Sequence, residues 1–417
     1  MSNMTTVPVY QQLRPDANYT YKLIQLPPNI ISHLSDSSTS NAKYLNLKTK
    51  PTVATATTTT SDDGDDNDAV VVCTGDSTFK LRQNNHSNCV LLMNQRPINN
   101  NIHQHQQQQQ QDGSDENALL GFSQCNYVYE LTQIPGTILD VVPEYHAENE
   151  QRNKNLMTKT EMAELSPCSS AEFEKIYIDL CLCEIATGNN KFVYRLSFDT
   201  ISQILHTLIT YLISESKHGQ NFTIFDLNLQ DNQAFQNWQL SMINAVIHKF
   251  TTPDQEPSNS QDGNTVVNGV DDDNTTTTSL RLNDDAITHW FGIQELSKLN
   301  YNAVPLTTVA DFLLNWKTAL PSFYNVPLDI IQLQGHYYTT SSTGASPLIH
   351  FIDQSSLSRD VSTRFKQLLQ LQPNWKYNEF VACLQPVLDH AKKVDSVILK
   401  YGKKKRVKRD QFIVCAR

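Results

Sequence analysis

The N-terminal third of the chain contains short apolar segments with the spacing that is typical of β-strands. Residues 21–26 and 78–82 alternate apolar and polar side chains, while residues 69–73 and 89–93 are continuous apolar runs. Residues 86–88, His-Ser-Asn, separate two of these segments and predict a turn rather than a ligand site. We therefore expect a small β-meander, and its apolar runs favour pairing with strands from elsewhere.

From residue 166 onward, the apolar positions mostly follow the three-to-four-residue period of helices. A serine cap followed by acids begins a helix at residues 166–176, and strands are predicted at Tyr177–Glu184 and Lys191–Leu196. Cys181 and Cys183 share one face of the first of these strands, which favours core packing over a two-ligand metal fragment. Further helical stripes cover residues 199–213, 233–250, 284–299, 308–320, 358–371, 377–391 and 394–401.

Two of the helical groups end in short predicted strands. Residues 335–339 and 348–352 form a hairpin around Ser341–Gly344, and residues 411–415 form a closing strand after a basic run. Helices followed by a two-stranded wing are the order of a winged helix. Residues 156–250 fit the same plan loosely, so we predict an α+β fold with up to three tandem winged-helix-like modules.

Three polar inserts, residues 52–69, 99–116 and 251–279, interrupt these elements. They contain 14 acids and no Lys or Arg, so the net charge of −10 for the whole chain becomes +4 without them. Segments this polar bury too little apolar surface to offset the entropy of ordering, and we predict that they are disordered. The folded remainder is mildly basic, which is compatible with a nucleic-acid partner.

The sequence also argues against a membrane or secreted protein. No apolar run reaches the roughly 20 residues that span a bilayer, and the N-terminus lacks the basic and apolar regions of a signal peptide. The eight cysteines include no Cys-x-x-Cys pair, which indicates reduced thiols in a cytosolic or nuclear protein. We therefore predict no membrane partner.

Motifs of catalysis are missing from the sequence. It contains no Gly-x4-Gly-Lys-[Ser/Thr], no Gly-x-Ser-x-Gly, no His-Glu-x-x-His and no Gly-x-Gly-x-x-Gly. The 13 glycines also provide little material for phosphate-binding loops. We predict a protein that is not an enzyme and that uses no cofactor and no metal.

The end of the chain carries a concentrated positive charge. Residues 392–417 contain ten Lys or Arg and two acids, a net charge of +8. Three interpretations stay open: a solvated terminus, a nuclear localisation signal at residues 403–408, and DNA contact with residues 394–401 as the helix at a groove. In the third interpretation, Tyr401 either stacks on an unpaired base or packs against the preceding helix. The predicted DNA-contacting residues are Lys400, Tyr401, Lys403, Lys404, Lys405, Arg406, Lys408 and Arg409.

Several motifs occur in the collinear order of a known family. They are Tyr21–Leu26, Val72–Met93, Ser166–Ser169, Trp290–Gln294, Phe312–Lys317 with Pro321, Arg364–Trp375 and Asp395–Arg409. This pattern resembles the subunit called "defective in sister chromatid cohesion", a non-ATPase subunit of the cohesion-specific alternative RFC clamp loader. The resemblance covers most of the chain outside the three inserts, which are the main departures from the family pattern.

The resemblance implies that the N-terminal strands join strands of two partner subunits in a shared triple barrel. It also implies a nuclear protein that acts in PCNA loading at replication forks, in DNA replication and in the establishment of sister chromatid cohesion. Further implied partners are DNA polymerase epsilon and single- and double-stranded DNA. The expected partner-binding residues are Tyr21, Leu23, Ile24, Leu26, Val71, Val72, Phe79, Leu81, Val90, Leu91 and Leu92. A winged-helix, sequence-specific transcription regulator is one alternative, and an interaction scaffold that uses the basic tail only for nuclear import is another.

We thus expect an α+β chain of five regions. A β-rich barrel segment, completed by partner subunits, covers residues 14–150 and includes the inserts at 52–69 and 99–116. Winged-helix-like modules cover residues 156–250, 283–353 and 356–417, and the acidic linker 251–279 separates the first two.

Overall fold

The computed structural model has the mixed α+β composition that the sequence predicts, with ten α-helices and fifteen β-strands among the described residues. The described residues are 9–11, 20–35, 44–49, 70–97, 117–139, 142–146, 156–188, 190–229, 231–253, 279–299, 307–340, 346–388, 393–409 and 411–417. The predicted inserts at 52–69 and 99–116 lie outside them, as does most of the linker. In these ranges no helix is long and apolar enough to cross a membrane. The chain divides into unit 1, residues 1–140 with 160–176, and unit 2, residues 141–159 with 177–417.

Unit 1 is built on one six-stranded sheet. Its strands are β1 (Val9–Gln11), β2 (Leu23–Gln25), β3 (Asn46–Thr49), β4 (Val70–Cys73), β5 (Thr78–Pro97) and β6 (Asn117–Ile134). The order is β1–β6–β5–β4–β3, and β2 also pairs with β6. Since this order does not return on itself, the described strands form an open sheet and not a closed barrel.

Strand β5 corrects the prediction of a turn at residues 86–88. That prediction is wrong, because β5 continues through these residues and pairs with β6 on both sides of them. Asn85 pairs with Tyr127 and Val90 with Cys125, so four residues of β5 bulge opposite one residue of β6. The polar residues that suggest a turn are exposed, and an exposed strand face accepts them. Strand β6 itself is absent from the predicted meander.

The helices that lie wholly or mostly in unit 1 are α1 (Pro28–Ser35), α2 (Lys159–Leu165) and α3 (Ser170–Asp179), and a polar network anchors the β5–β6 hairpin to α3. The Glu172 carboxylate accepts hydrogen bonds from Thr78 Oγ1 at 2.5 Å, Ser169 Oγ at 2.7 Å and Gly136 N at 3.0 Å. Thr78 begins β5 and Gly136 follows β6, so one side chain holds the base of the hairpin. A Cβ at Gly136 would lie 2.5 Å from Cys168 Cβ, so only glycine fits there.

Unit 2 consists of helices interleaved with four small sheets. Its first elements are β7 (Leu182–Thr187), β8 (Asn190–Arg195), α4 (Phe198–Ser214), α5 (Leu240–Phe250), β9 (Thr251–Pro253) and β10 (Leu280–Leu282). They are followed by α6 (Asp284–Ser297), α7 (Val309–Ala319), β11 (Tyr337–Thr340) and β12 (Leu348–Phe351). The last elements are α8 (Val361–Leu371), β13 (Asn374–Lys376), α9 (Tyr377–Leu384), α10 (Val394–Tyr401), β14 (Gly402–Lys408) and β15 (Gln411–Ala416).

Three predicted elements of this unit begin or end elsewhere. The strand predicted from Tyr177 begins only at Leu182, because the first residues belong to α3 and Cys181 takes a positive φ of 52°. Of the helix predicted over 233–250, residues 233–235 are a 3₁₀ turn and α5 starts at Leu240. Helix α9 ends at Leu384 rather than at residue 391, with a proline at the start of the following 3₁₀ turn.

Cys181 and Cys183 lie in the hydrophobic core of unit 2, so the prediction of core packing is confirmed. Burial raises the pKa of each thiol to about 12, the Cys183 value being raised further by Cys181. Both sulfurs are therefore neutral thiols at physiological pH.

Arg364 of α8 joins two consecutive segments of unit 2, residues 283–353 and 356–417. Its side chain is 2% exposed, and burial lowers its pKa. Nε donates to the carbonyl of Cys383 at 2.7 Å, Nη1 donates to the carbonyl of Ser358 at 3.4 Å, and Nη2 donates to Gln354. Gln354 in turn donates to the carbonyl of Gly335. One guanidinium thus connects the loop before β11 with helices α8 and α9.

Glu379 of α9 and Tyr338 of β11 reinforce this junction. The Glu379 carboxylate accepts from Thr339 N at 3.0 Å and from Thr339 Oγ1 at 2.7 Å. Tyr338 belongs to the core of the C-terminal segment, where its ring lies 5.2 Å from that of Trp375. Residues 283–353 therefore contribute part of the core on which the C-terminal helices pack.

Candidate nucleic-acid interface

The basic run near the C-terminus folds as a β-hairpin directly after helix α10. Strand β14 pairs antiparallel with β15, from Gly402 opposite Ala416 to Lys408 opposite Gln411. Since β15 also pairs with β13, β14 is the outer strand of a three-stranded sheet. A Cβ at Gly402 would lie 2.8 Å from Phe365 Cζ, so glycine lets the helix turn closely into the strand. The predicted DNA-contacting residues are thereby brought together on one helix end and one hairpin.

Successive side chains of β14 point to opposite faces of the sheet. Lys403 and Lys405 share one face, are exposed, and make no ion pair with any residue that the structure describes. Arg409 in the turn and Lys400 at the end of α10 are exposed as well. The end of α10 and the hairpin therefore carry four exposed cations, a chemistry that suits a polyanion.

Lys404 lies on the other face and is enclosed by three side chains. Its Nζ is 3.0 Å from Asp395 Oδ1 of α10, 3.9 Å from the ring centroid of Tyr377 of α9, and 4.9 Å from that of Phe412 of β15. The Tyr377 hydroxyl donates to Asp395 Oδ1 at 2.8 Å. We call Asp395, Tyr377 and Phe412 the Lys404 box.

The charges of the box stabilise one another. The pKa of Asp395 is lowered because Lys404 and Tyr377 both donate hydrogen bonds to its carboxylate. Burial and the hydrogen bond to Asp395 raise the pKa of the Tyr377 hydroxyl. Burial is the largest single influence on Lys404 and acts against its charge, yet its pKa is raised, because the hydrogen bonds and charge interactions with Asp395 and Tyr377 together outweigh burial. Lys404 is thus a fixed cation with an internal counter-ion.

Arg406 and Tyr401 also have partners within the fold. Arg406 Nε donates to the carbonyl of Arg409 at 3.0 Å, which closes the turn of the hairpin. The Tyr401 ring is half-buried and lies 5.7 Å from the ring of Phe365, and Lys400 Nζ lies 5.1 Å from the Tyr401 centroid. Of the two interpretations of Tyr401, packing within the fold is therefore the one that the contacts favour.

Sequence reasoning does not find the Lys404 box. Asp395, Tyr377 and Phe412 follow no recognisable spacing relative to Lys404, because their proximity arises from the packing of α9 and α10 against the hairpin. Among the described residues, no group of three or more His, Cys, Asp or Glu is arranged to hold a metal ion.

The predicted partner-binding residues of unit 1 divide by exposure. Three of them lie in the interior of unit 1 at 4%, 4% and 1% exposure: Val71, Val72 and Phe79. Four are exposed, at 43%, 50%, 41% and 44%: Tyr21, Ile24, Val90 and Leu91. The others are half-buried: Leu23, Leu26, Leu81 and Leu92. The buried three support the sheet, and the exposed four are accessible to a partner.

Strand β5 also has an unpaired edge. Strand β4 pairs with β5 only at Thr78–Lys80, and no other described strand covers that side from Leu81 to Pro97. Residues 83–95 of this edge contain no Asp, Glu, Lys or Arg. A long uncharged edge of this kind accepts an additional strand.

Comparison with known proteins identifies the family. The family model described as "Sister chromatid cohesion protein Dcc1" matches residues 21–383. Sister chromatid cohesion protein DCC1 of Saccharomyces cerevisiae is 26% identical over 416 residues, which cover 94% of this chain and 96% of the relative. The family model ends within α9, so the basic hairpin lies outside the match, and its role is inferred from its own residues. The family is defined by a role in cohesion and not by a catalytic activity. The chain belongs to the Dcc1 family of sister chromatid cohesion proteins.

Proposed function

We propose that this protein is a non-catalytic subunit of the cohesion-specific alternative RFC clamp loader and that it binds DNA through its C-terminal hairpin. In this role it acts in PCNA loading at replication forks, in DNA replication and in establishing sister chromatid cohesion. Family membership supports the cohesion role, and the exposed cations on β14 carry the DNA-binding part of the proposal.

The order of the last elements supports a winged-helix assignment. Helix α8, strand β13, helices α9 and α10 and the β14–β15 hairpin follow one another, and the sheet order is β13–β15–β14. In a winged helix the last helix of such a series approaches a groove and the hairpin flanks it. Lys400 and Lys403 lie on either side of the junction between α10 and β14, so helix and wing present charge together. We assign residues 283–353 to the same class, because α6 and α7 precede the β11–β12 hairpin.

The unpaired edge of β5 supports a partner-completed barrel in unit 1. Val90 and Leu91 are exposed along this edge, and a strand from another subunit would both cover them and satisfy the free backbone groups. The proposed partners are the other subunits of the clamp loader, through them PCNA, and DNA polymerase epsilon. The basic run is compatible with nuclear import as well as with DNA contact, and the nucleus is the proposed location.

The test is a DNA titration of the full chain at several salt concentrations. Each phosphate contact contributes about 0.9 to the slope of log K against log salt, so Lys403→Gln with Lys405→Gln should reduce the slope by about 1.8. Lys191→Gln with Lys317→Gln is the matched control, because both lysines are exposed in unit 2 and the net charge changes equally. Equal slopes for the two double variants would refute DNA contact by β14. Strong discrimination among duplex sequences would favour the transcription regulator instead.

A further inference from the structure

Lys404 differs from its two neighbours on β14, Lys403 and Lys405, in the contacts that it makes. Lys403 and Lys405 extend from the sheet without an ion pair among the described residues, whereas Lys404 is held by a carboxylate and two aromatic rings. A free ammonium at the protein surface is strongly hydrated, and an aromatic face is a useful partner only where that water is partly excluded. The side chain of Lys404 is 24% exposed, which meets this condition.

We infer that Lys404 is a positioning residue that holds the β14–β15 hairpin at a fixed angle to helix α10, and not a DNA contact. Lys404 and the three residues of the Lys404 box come from four elements. Tyr377 begins α9, Asp395 lies in the first turn of α10 and Phe412 lies on β15, whereas Lys404 itself lies on β14. Its role in DNA binding rests on the proposed function, whereas its role in ordering the hairpin does not.

The position of β14 explains why such a contact is needed. As the outer strand, it has β15 as its only hydrogen-bonded neighbour among the strands that the structure describes, so its ladder alone does not set its angle to the helices. Val414, the partner of Lys404 across the ladder, is fully buried and pairs in turn with Trp375. Lys404 therefore lies on the core-facing side of the sheet, at the outer edge next to solvent. At this position a charged contact takes the place of an apolar one.

A phosphate is a poor competitor for this lysine. To reach DNA, Lys404 would have to leave Asp395 and both rings, and Asp395 would then be left as an unpaired anion beside the phosphates. Lys403 and Lys405 have no such contacts to lose among the residues that the structure describes. The run of four basic residues at 403–406 thus separates into two groups. Lys403 and Lys405 face the DNA, whereas Lys404 and Arg406 hold the hairpin in place.

Hydrogen exchange of the DNA-free full chain tests the ordering role. Lys404→Met keeps most of the side-chain length and removes the charge, and it should speed exchange of the β14 and β15 amides by about tenfold. Asp395→Asn should have a similar effect, and the double variant should exchange no faster than Lys404→Met alone, because the two residues act through one contact. Lys403→Met is the matched control and should leave exchange unchanged. Exchange in Lys404→Met equal to that of the unmodified chain would overturn the proposal.

The salt dependence of DNA binding tests the exclusion of Lys404 from the contact surface. Lys403→Met should reduce the slope by about 0.9, whereas Lys404→Met should weaken binding with an unchanged slope. If Lys404 does contact phosphate, the slope of log K against log salt falls in Lys404→Met as it does in Lys403→Met. In that case Asp395→Asn strengthens DNA binding, because it frees the lysine. If the unmodified chain shows no salt-dependent DNA binding, the proposed function fails while the hydrogen-exchange result still decides the role of Lys404.

Discussion

Two strands of this protein, β5 in unit 1 and β14 in unit 2, have free backbone edges of opposite chemistry. Both have a free backbone edge along most of their length, as far as the structure describes it. Residues 83–95 of β5 carry no charge and include the exposed Val90 and Leu91. Residues 403–406 of β14 are all basic. Charge on an edge strand prevents pairing with another strand, and its absence permits it. The composition of each edge is therefore the basis of the two proposed partner classes, a protein strand for β5 and a polyanion for β14.

The two edges also differ in what holds them in place. The base of the β5–β6 hairpin depends on Glu172 and on the close approach of Gly136 to Cys168. The β14–β15 hairpin depends on the core of the C-terminal segment, which Arg364 connects to the preceding segment. Since neither support involves the other unit, each edge can be disturbed separately.

Removal of Arg364 should have the largest effect on stability. Arg364→Leu leaves the carbonyls of Cys383 and Ser358 and the side chain of Gln354 without their donor, and we expect unfolding of the C-terminal segment to become easier by about 3 kcal/mol. Urea unfolding, followed by hydrogen exchange of α8 and β15, measures this loss. Arg359→Leu, at an exposed position, is the control. A change below about 1 kcal/mol would show that the segment does not depend on this guanidinium.

A methyl group at Gly136 should destabilise the base of the β5–β6 hairpin. Gly136→Ala places a Cβ 2.5 Å from Cys168 Cβ, and the displacement needed should cost about 2 kcal/mol. Gly75→Ala in the same unit is the control, because nothing lies within 4 Å of its Cβ position. Thermal unfolding of the full chain measures both. Equal effects of the two substitutions would mean that crowding at Gly136 is relieved without cost.

A lysine on the β5 edge should have the smallest effect on free energy but a specific effect on assembly. With Leu91→Lys, a partner strand would have to desolvate a cation in order to pair with β5. Co-expressed clamp-loader subunits should therefore co-purify about tenfold less, which corresponds to a loss of about 1.4 kcal/mol in binding free energy. Gln124→Lys is the matched control, since Gln124 pairs with Leu91 across the ladder and receives the same charge on β6. Loss of partners in both variants, or in neither, would argue against docking at this edge.

Local signals in the sequence predicted the helices better than the strands. Helix α10 has its predicted bounds, and α7 is capped by Thr308, whose side chain accepts from Asp311 N at 3.2 Å. Such caps and apolar stripes involve residues within one or two turns. The turn predicted at residues 86–88 is wrong because the polar residues there belong to an exposed strand face, which local composition cannot distinguish from a turn.

The candidate interface was predictable in charge but not in detail. The basic run is evident in the sequence, and the structure places all of it on α10 and one hairpin. The separation of Lys404 from Lys403 and Lys405 depends on Tyr377, Asp395 and Phe412, whose contacts form only when α9, α10 and β15 pack together. Likewise, the alternation of residues 78–82 predicts an apolar face that includes Phe79, but its packing with Ile30 and Val72 follows only from the folded sheet.

Gly335 has a consequence for the kinetics of the proposed DNA binding. Its φ of +96° and its carbonyl, which accepts from Gln354 and from Cys383 Sγ at 3.5 Å, set the angle between residues 283–353 and the C-terminal segment. The orientational entropy of the hairpin relative to residues 283–353 is therefore lost once, when the chain folds, and in the proposed binding it is not lost again at each collision with DNA. A substitution that loosens Gly335 should accordingly slow productive association even when every basic side chain is retained.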